Sequence, residues 1–101
     1  MRLIVLFDLP TYSNKDMVEY RKFRQFLLRN GFIMMQESVY CKIVLNNNST
    51  KLLKNQIVKN LPPSGLVQLM QITEKQFADI EYLVGKSQTK IIDSIDRVVN
   101  I

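Results

Sequence analysis

A run of five consecutive apolar residues, Leu3 to Phe7, constrains the fold of this chain more than any other feature. A continuous apolar run of this length is typical of a strand that is buried on both faces. The run is followed by Asp8-Leu9-Pro10, and proline lacks the backbone N–H that a central strand needs. We therefore expect Asp8 at the end of a central strand, where the core meets solvent.

The sequence leaves two interpretations of Asp8 open. An aspartate that follows a strand commonly hydrogen-bonds to the backbone of the next turn. It can also bind a divalent cation, although one carboxylate is a poor magnesium site. In a two-fold dimer, each carboxylate near the axis has a counterpart, and the pair must share a proton or bind a cation. The residues alone favour the turn interpretation.

The composition excludes several kinds of chemistry. The 101 residues are enough for one domain with a packed core, and no apolar run is long enough to cross a membrane. There is no histidine, and Cys41 is the only cysteine. A zinc site within one chain is therefore not expected, and Ser38 and Cys41 have no histidine to activate them as nucleophiles. Any metal chemistry should use oxygen ligands, which points to Mg²⁺, Mn²⁺ or Ca²⁺. The lone cysteine favours a reducing, cytoplasmic setting.

The positive charge is concentrated in the first sixty residues. Residues 1–30 contain six basic and three acidic residues, residues 31–60 four and one, and residues 61–101 four and five. A surface that binds a polyanion is therefore expected in the first sixty residues. Neither an aromatic stacking platform nor a glycine-rich phosphate loop occurs, which favours sequence-independent contact with a nucleic-acid duplex. The candidate nucleic-acid-binding residues are Lys15, Arg21, Lys22 and Arg24.

The hydrophobic periodicity predicts alternating strands and helices. A helix is predicted to begin after Ser13, with Asp16 completing a capping box, and to end before Gly31. Residues 32–45 have strand character throughout, and the pattern does not decide between one long strand and two. The remaining elements are a helix after the Asn46–Ser49 turn, a strand over Leu66–Thr73, a polar connection over Thr73–Gln76, and a segment, Phe77–Val84, that fits a strand or a short helix.

This order of elements predicts the fold class. If residues 32–45 form two strands, the chain follows the βαββαβ order of the α+β ferredoxin-like fold. We expect a ferredoxin-like domain over residues 1–84 and a C-terminal tail over residues 85–101. The tail contains many Ile and Val residues, so it should pack on its own domain or on a partner.

Six short motifs are spread over essentially the whole chain. They are Asp8-Leu9-Pro10, Arg21-Lys22-Phe23-Arg24, Gly31-Phe32, Gln36-Glu37-Ser38-Val39-Tyr40, Pro62-Pro63-Ser64-Gly65-Leu66-Val67-Gln68 and Thr73-Glu74-Lys75-Gln76-Phe77. Together they resemble the small "Cas two" family of CRISPR-associated proteins, and most closely its type II-A branch.

The resemblance implies a ferredoxin-like homodimer in which residues 32–45 divide at Glu37. It implies that Phe77–Val84, with part of the tail, adds a strand to the sheet of the partner subunit. The implied role is spacer acquisition, in which the dimer bridges two dimers of the Cas one integrase and holds duplex pre-spacer DNA. The resemblance also implies a Mg²⁺-dependent endonuclease with Asp8 as its metal-binding and catalytic residue, whereas the four basic candidates rest on charge alone.

Three functions therefore follow as hypotheses. A non-catalytic architectural subunit that binds DNA is favoured, because the chain has a basic surface, no histidine and one well-placed carboxylate. The alternative is a metal-dependent endonuclease that cleaves RNA or DNA, with Asp8 of both chains holding the cation. A ferredoxin-like regulatory dimer with a small ligand is the third, and the basic excess argues against it.

Overall fold

Within residues 1–86, the chain forms an antiparallel four-stranded sheet with two helices on one face and a short helix on the other. The computed structural model describes residues 1–86. The expected packing of the tail falls mostly on residues 87–101, which lie outside the described residues. The elements are β1 (Arg2–Asp8), α1 (Asn14–Arg29), β2 (Ile33–Gln36), β3 (Val39–Ile43), α2 (Asn47–Lys59), β4 (Leu66–Ile72) and α3 (Glu74–Ala78).

The sheet has the strand order β2-β3-β1-β4, which confirms the prediction of a central first strand. β1 pairs antiparallel with both neighbours, so that Val5 lies opposite Tyr40 on β3 and Leu69 on β4. Because both faces of β1 are covered over most of its length, Leu3, Ile4 and Val5 are no more than 3% exposed. The α+β ferredoxin-like fold predicted from the sequence is confirmed.

Residues 32–45 form two strands, as the family resemblance implies. β2 ends at Gln36 and β3 begins at Val39, so the turn consists of Glu37 and Ser38. The register shifts between Met34 and Gln36, which marks an irregularity of the bulge type just before the turn. The hydrophobic pattern could not place this turn, because neither glycine, proline nor asparagine occurs in it.

The helix boundaries follow from capping. At the start of α1, the Ser13 hydroxyl accepts a hydrogen bond from the Asp16 backbone N–H, and the Asp16 carboxylate accepts one from the Ser13 N–H. This capping box was predicted, and each such cap contributes about 1 kcal/mol. The helix ends where Gly31 adopts a φ of 85°, a left-handed conformation that glycine adopts without steric cost.

α3 was only partly predicted. A second capping box, between Thr73 and Gln76, begins this helix within the stretch that was taken for a polar connection. The strand alternative for Phe77–Val84 is therefore wrong at Phe77 and Ala78, which are helical, and residues 79–86 form neither helix nor strand. Strand addition to a partner stays a prediction, and any added strand can begin only after Ala78.

Two apolar layers cover the sheet unequally. The main core lies between the sheet and the helices α1 and α2, and the smaller layer lies under α3. None of the helices within residues 1–86 combines the length and the hydropathy that crossing a bilayer requires.

Candidate functional site

Asp8 is the last residue of β1, and its side chain is exposed. It lies opposite Leu66 of β4 in the antiparallel register. Side chains alternate between the faces of a strand, so Asp8 lies on the same face as Ile4, which packs under α3 and away from the two longer helices. Asp8 therefore belongs to the face of the sheet that α3 covers only in part.

The backbone at Asp8 is fixed by the loop that precedes β4. Gly65 has a φ of +97°, and a Cβ atom at this position would lie 2.7 Å from the Asp8 carbonyl oxygen and 2.8 Å from Leu9 Cδ2. Only glycine allows the loop to approach the end of β1 so closely. Gly65 therefore positions Asp8 through the backbone, a role that the sequence motif alone did not reveal.

Replacing Gly65 by alanine is expected to lower the free energy of unfolding by about 2–4 kcal/mol. The substitution adds strain at a positive φ and a contact that the backbone of Asp8 must move to relieve. Chemical denaturation measures the effect, and Gly85→Ala is a matched control, because Gly85 also has a positive φ but has no atom within 4 Å of the added Cβ. Equal destabilisation of the two variants would show that the close approach to Asp8 contributes nothing.

Within residues 1–86, Asp8 belongs to no preformed cluster of metal-binding side chains. No group of three or more Asp, Glu, Cys or His side chains there is close enough to hold a metal ion. In the same range, the Asp8 carboxylate forms none of the ion pairs and none of the side-chain hydrogen bonds. The following helix is capped by Ser13 instead. Asp8 is thus an exposed carboxylate without an ion-pair or side-chain hydrogen-bond partner in this part of the chain, and a cation there would take its further ligands from water, from a phosphate or from a second copy.

The four basic candidates do not form one cluster. Lys15, Arg21 and Lys22 are exposed on α1, and Lys22 lies 3.7 Å from Glu19. Arg24 is half-buried, and its Nε donates a hydrogen bond to the Tyr40 hydroxyl at 3.0 Å. Three of the four therefore line the exposed side of the helix, whereas the fourth is directed towards β3. α1 packs on the face of the sheet opposite Asp8, although Lys15 lines a small cleft together with Leu9 and Pro10, which follow Asp8 in the chain.

A groove of about 550 Å³ separates α1 from the end of α2 and the loop that follows it. Besides Arg21 and Lys22, it is lined by Arg29 and Lys59. Charge alone marks both as basic surface residues. Only the packing of α2 beside α1 shows that Lys59, thirty positions from Arg29 in the sequence, lies on the same groove.

A cluster around Arg2 attaches α3 to the sheet. The Arg2 guanidinium lies 3.8 Å from the centre of the Phe77 ring, and its Nε is 3.1 Å from the Glu74 carboxylate. Beneath it, burial raises the pKa of the Cys41 thiol, and the nearby Arg2 only partly offsets this effect. A buried thiol with a raised pKa is a poor nucleophile. Cys41 is therefore a core residue in this structure.

The remainder of this sheet face is exposed and largely apolar, with Gln68 between Leu66 and Met70 on β4. Its four most exposed aliphatic positions are between 42% and 55% accessible, and they are Ile33, Ile43, Leu66 and Met70. All four lie on the same side of the sheet as Ile4 and Cys41 in the strand register. We call these four residues, together with Asp8, the open face.

Comparison with known proteins identifies the family. Residues 1–80 match the family described as CRISPR associated protein Cas2. Three relatives bear the name CRISPR-associated endoribonuclease Cas2. The protein of Treponema denticola is 43% identical over 98% of both chains. That of Streptococcus mutans serotype c is 46% identical over 98% of this chain and 91% of its own, and that of Ligilactobacillus salivarius is 40% identical over 98% of both. The chain therefore belongs to the Cas2 family, the Cas two family that its motifs resemble.

Proposed function

We propose that this protein is a spacer-acquisition subunit that works as a homodimer, bridges Cas one integrase dimers and binds duplex pre-spacer DNA through its basic surface. The observation that carries the proposal is the separation of two surfaces. Most of the exposed cations of residues 1–86 lie on α1 and α2, on one side of the sheet, and the open face lies on the other.

The open face supports dimerisation with a second copy. Exposed apolar patches on this scale commonly mark protein–protein contacts. Within residues 1–86, β4 also has one edge without a neighbouring strand, and such an edge readily pairs with a strand from another chain. A dimer that used both features would bury Leu66 and Met70, which are 55% and 47% exposed in one chain. The helices of both copies would then face outwards.

The outward helices support binding to a duplex. Lys15, Arg21 and Lys22 follow one another along α1, and basic side chains on one helix suit the regular phosphate backbone of DNA. The bridging of integrase dimers rests on the family resemblance, which also implies that the duplex is a pre-spacer. A rigid dimer with cations on both outer sides is suited to that architectural role.

Binding of duplex DNA is expected to weaken steeply as salt is added. If the dimer neutralises about six phosphates, its affinity should fall roughly a thousandfold between about 50 and 200 mM salt. Fluorescence anisotropy with duplexes of two unrelated sequences measures both the slope and the sequence preference. An affinity that does not change with salt contradicts the proposal, and a strong preference for one sequence contradicts the backbone mode of binding.

A metal-dependent endonuclease that acts on RNA or DNA is the second proposal, and the exposure of Asp8 favours it. The relatives are named endoribonucleases, which makes RNA the first substrate to test. Asp8 of both copies would hold Mg²⁺ or Mn²⁺ if the dimer brought the two carboxylates together. When bound, the cation would neutralise charge on the scissile phosphate. A crystal structure of the dimer tests the arrangement, because two carboxylates too far apart to share one ion contradict it.

A further inference from the structure

The groove beside α1 continues into a second, smaller cleft. Val18, Lys22, Gln25 and Arg29 form one wall of the groove at spacings of four, three and four residues, and residues 59–62 form the other. A cleft of about 220 Å³ that contains Lys15 adjoins it, and the two share Glu19 and Pro62. We call the two together the basic trough. From Lys15 to Arg29 it follows α1 for about 21 Å, at 1.5 Å per residue.

The charge of the basic trough is strongly positive. Five cations line it, namely Lys15, Arg21, Lys22, Arg29 and Lys59, against the two carboxylates of Asp16 and Glu19. Both carboxylates already have partners, because Asp16 caps α1 and Glu19 lies 3.7 Å from Lys22. Arg29 and Lys59 are exposed, and neither takes part in the ion pairs formed within residues 1–86. The end of the trough away from Lys15 is thus its least neutralised part.

The shape favours a polymer with regularly spaced negative charges. Each strand of a duplex carries one phosphate per nucleotide, so a strand that follows the trough for about 21 Å places several phosphates along it. Phe23 and Phe26 of the larger groove cannot stack on bases, because they are 2% and 6% exposed. Tyr20 of the smaller cleft is half-buried, and its ring packs edge-on against Phe7. The contacts therefore suit the backbone and carry no sequence preference.

From these observations, we infer that the basic trough holds one phosphodiester strand of a duplex along α1, and that Arg29 and Lys59 clamp the strand where α1 and α2 end. This inference rests on the proposed binding of duplex DNA and assigns it a site. It adds two residues from different helices to the exposed cations of α1. Arg24 does not line the trough, and its hydrogen bond to Tyr40 directs it towards β3.

A second effect of these two cations must be separated from binding. Arg29 and Lys59 lie in the last turns of their helices, where a positive charge stabilises the helix dipole by about 0.3–1 kcal/mol. That effect acts within each helix and does not involve the groove between them. Because losing it would lower the stability of a variant, the thermal unfolding of each variant is measured together with its binding.

The test compares two double variants of the full chain with a duplex of arbitrary sequence. Arg29→Gln/Lys59→Gln removes two charges from the basic trough, and Lys51→Gln/Lys54→Gln removes two exposed charges of α2 that do not line it. We expect the first variant to bind about tenfold more weakly than the second at moderate salt. Its plot of log affinity against log salt should be shallower by about 1.8, at 0.9 for each lost phosphate contact.

Each result decides between the possibilities. Equal affinities and slopes for the two variants overturn the inference and leave duplex binding intact, whereas a wild-type protein insensitive to salt overturns both. Polyglutamate is the competing probe. If it binds the wild type more tightly than the duplex does and depends on Arg29 and Lys59, the trough takes acidic peptides, which also overturns the inference. The inference is supported if the Arg29/Lys59 variant is folded and is the only one of the two variants that binds the duplex more weakly.

Discussion

Replacing Asp8 by asparagine is expected to abolish any phosphodiester cleavage that depends on a divalent cation. The substitution keeps the size of the side chain and removes the charge that would hold the ion. Since the ion contributes several kcal/mol of charge stabilisation, the rate should fall about a hundredfold or more. Asp8 is exposed and contacts no charged partner within residues 1–86, so the fold and duplex binding should both be retained.

The measurement is cleavage of labelled RNA and DNA over a titration of Mg²⁺ and of Mn²⁺. Asp79→Asn is the matched control, because Asp79 is an exposed aspartate that follows α3. Undiminished cleavage by the Asp8 variant would show that Asp8 does not bind the catalytic ion. Spacer acquisition, measured with the same variants in cells, then separates the two proposed functions. Acquisition that survives the loss of cleavage supports the architectural subunit, and acquisition lost together with cleavage supports a role for the metal.

Replacing Phe7 by alanine is expected to lower the free energy of unfolding by about 3–5 kcal/mol. Phe7 is 5% exposed, and its ring centre lies 5.3 Å from that of Phe23 and 5.7 Å from that of Tyr40. It therefore joins β1, α1 and β3 at one point of the core. Domains of this size are stable by only about 5–15 kcal/mol, so the variant should be close to the limit of folding.

Urea denaturation at a fixed protein concentration measures this loss, because dimerisation makes the apparent stability depend on concentration. Phe7→Leu is the control, since it keeps most of the apolar volume and should be destabilised considerably less. If the alanine variant lost less than about 1 kcal/mol, a central position for β1 could not be maintained. A midpoint that shifts without a change in the slope would show that the native state stays as compact as before.

Local sequence signals located most of the elements correctly. The capping box at Ser13 and Asp16 was identified in advance, because both of its hydrogen bonds are made within four residues. The turn between β2 and β3 could not be placed from the pattern, because Glu37-Ser38 contains no glycine, proline or asparagine to mark a hairpin turn. At this turn, the resemblance of the Gln36–Tyr40 motif to the family correctly predicted that residues 32–45 divide at Glu37. α3 was misjudged at its start, although Thr73 and Gln76 form the same kind of box as Ser13 and Asp16.

The candidate site was predictable to a lesser degree. The position of Asp8 at the end of the central strand followed from the apolar run and Pro10. Its exposure on the face away from α1 depends on the strand register, which no single residue specifies. Likewise, Lys15, Arg21 and Lys22 are evident as helix cations, whereas the direction of Arg24 depends on Tyr40, a buried residue of another element.

By itself, the sequence determined the features that depend on neighbouring residues and on residue types. The apolar run from Leu3 to Phe7, followed by Asp8 and then by Pro10, specified the central strand. The absence of histidine argued against a zinc site and against histidine-activated nucleophiles, and the basic excess in the first sixty residues indicated a surface that binds a polyanion. The tertiary structure alone decided which distant residues meet. Gly65 approaches Asp8 because β4 pairs beside β1, and Arg29 shares a groove with Lys59 because α1 and α2 pack on the same face of the sheet. These contacts join parts of the chain that are far apart in the sequence, and the shared core fixes their geometry.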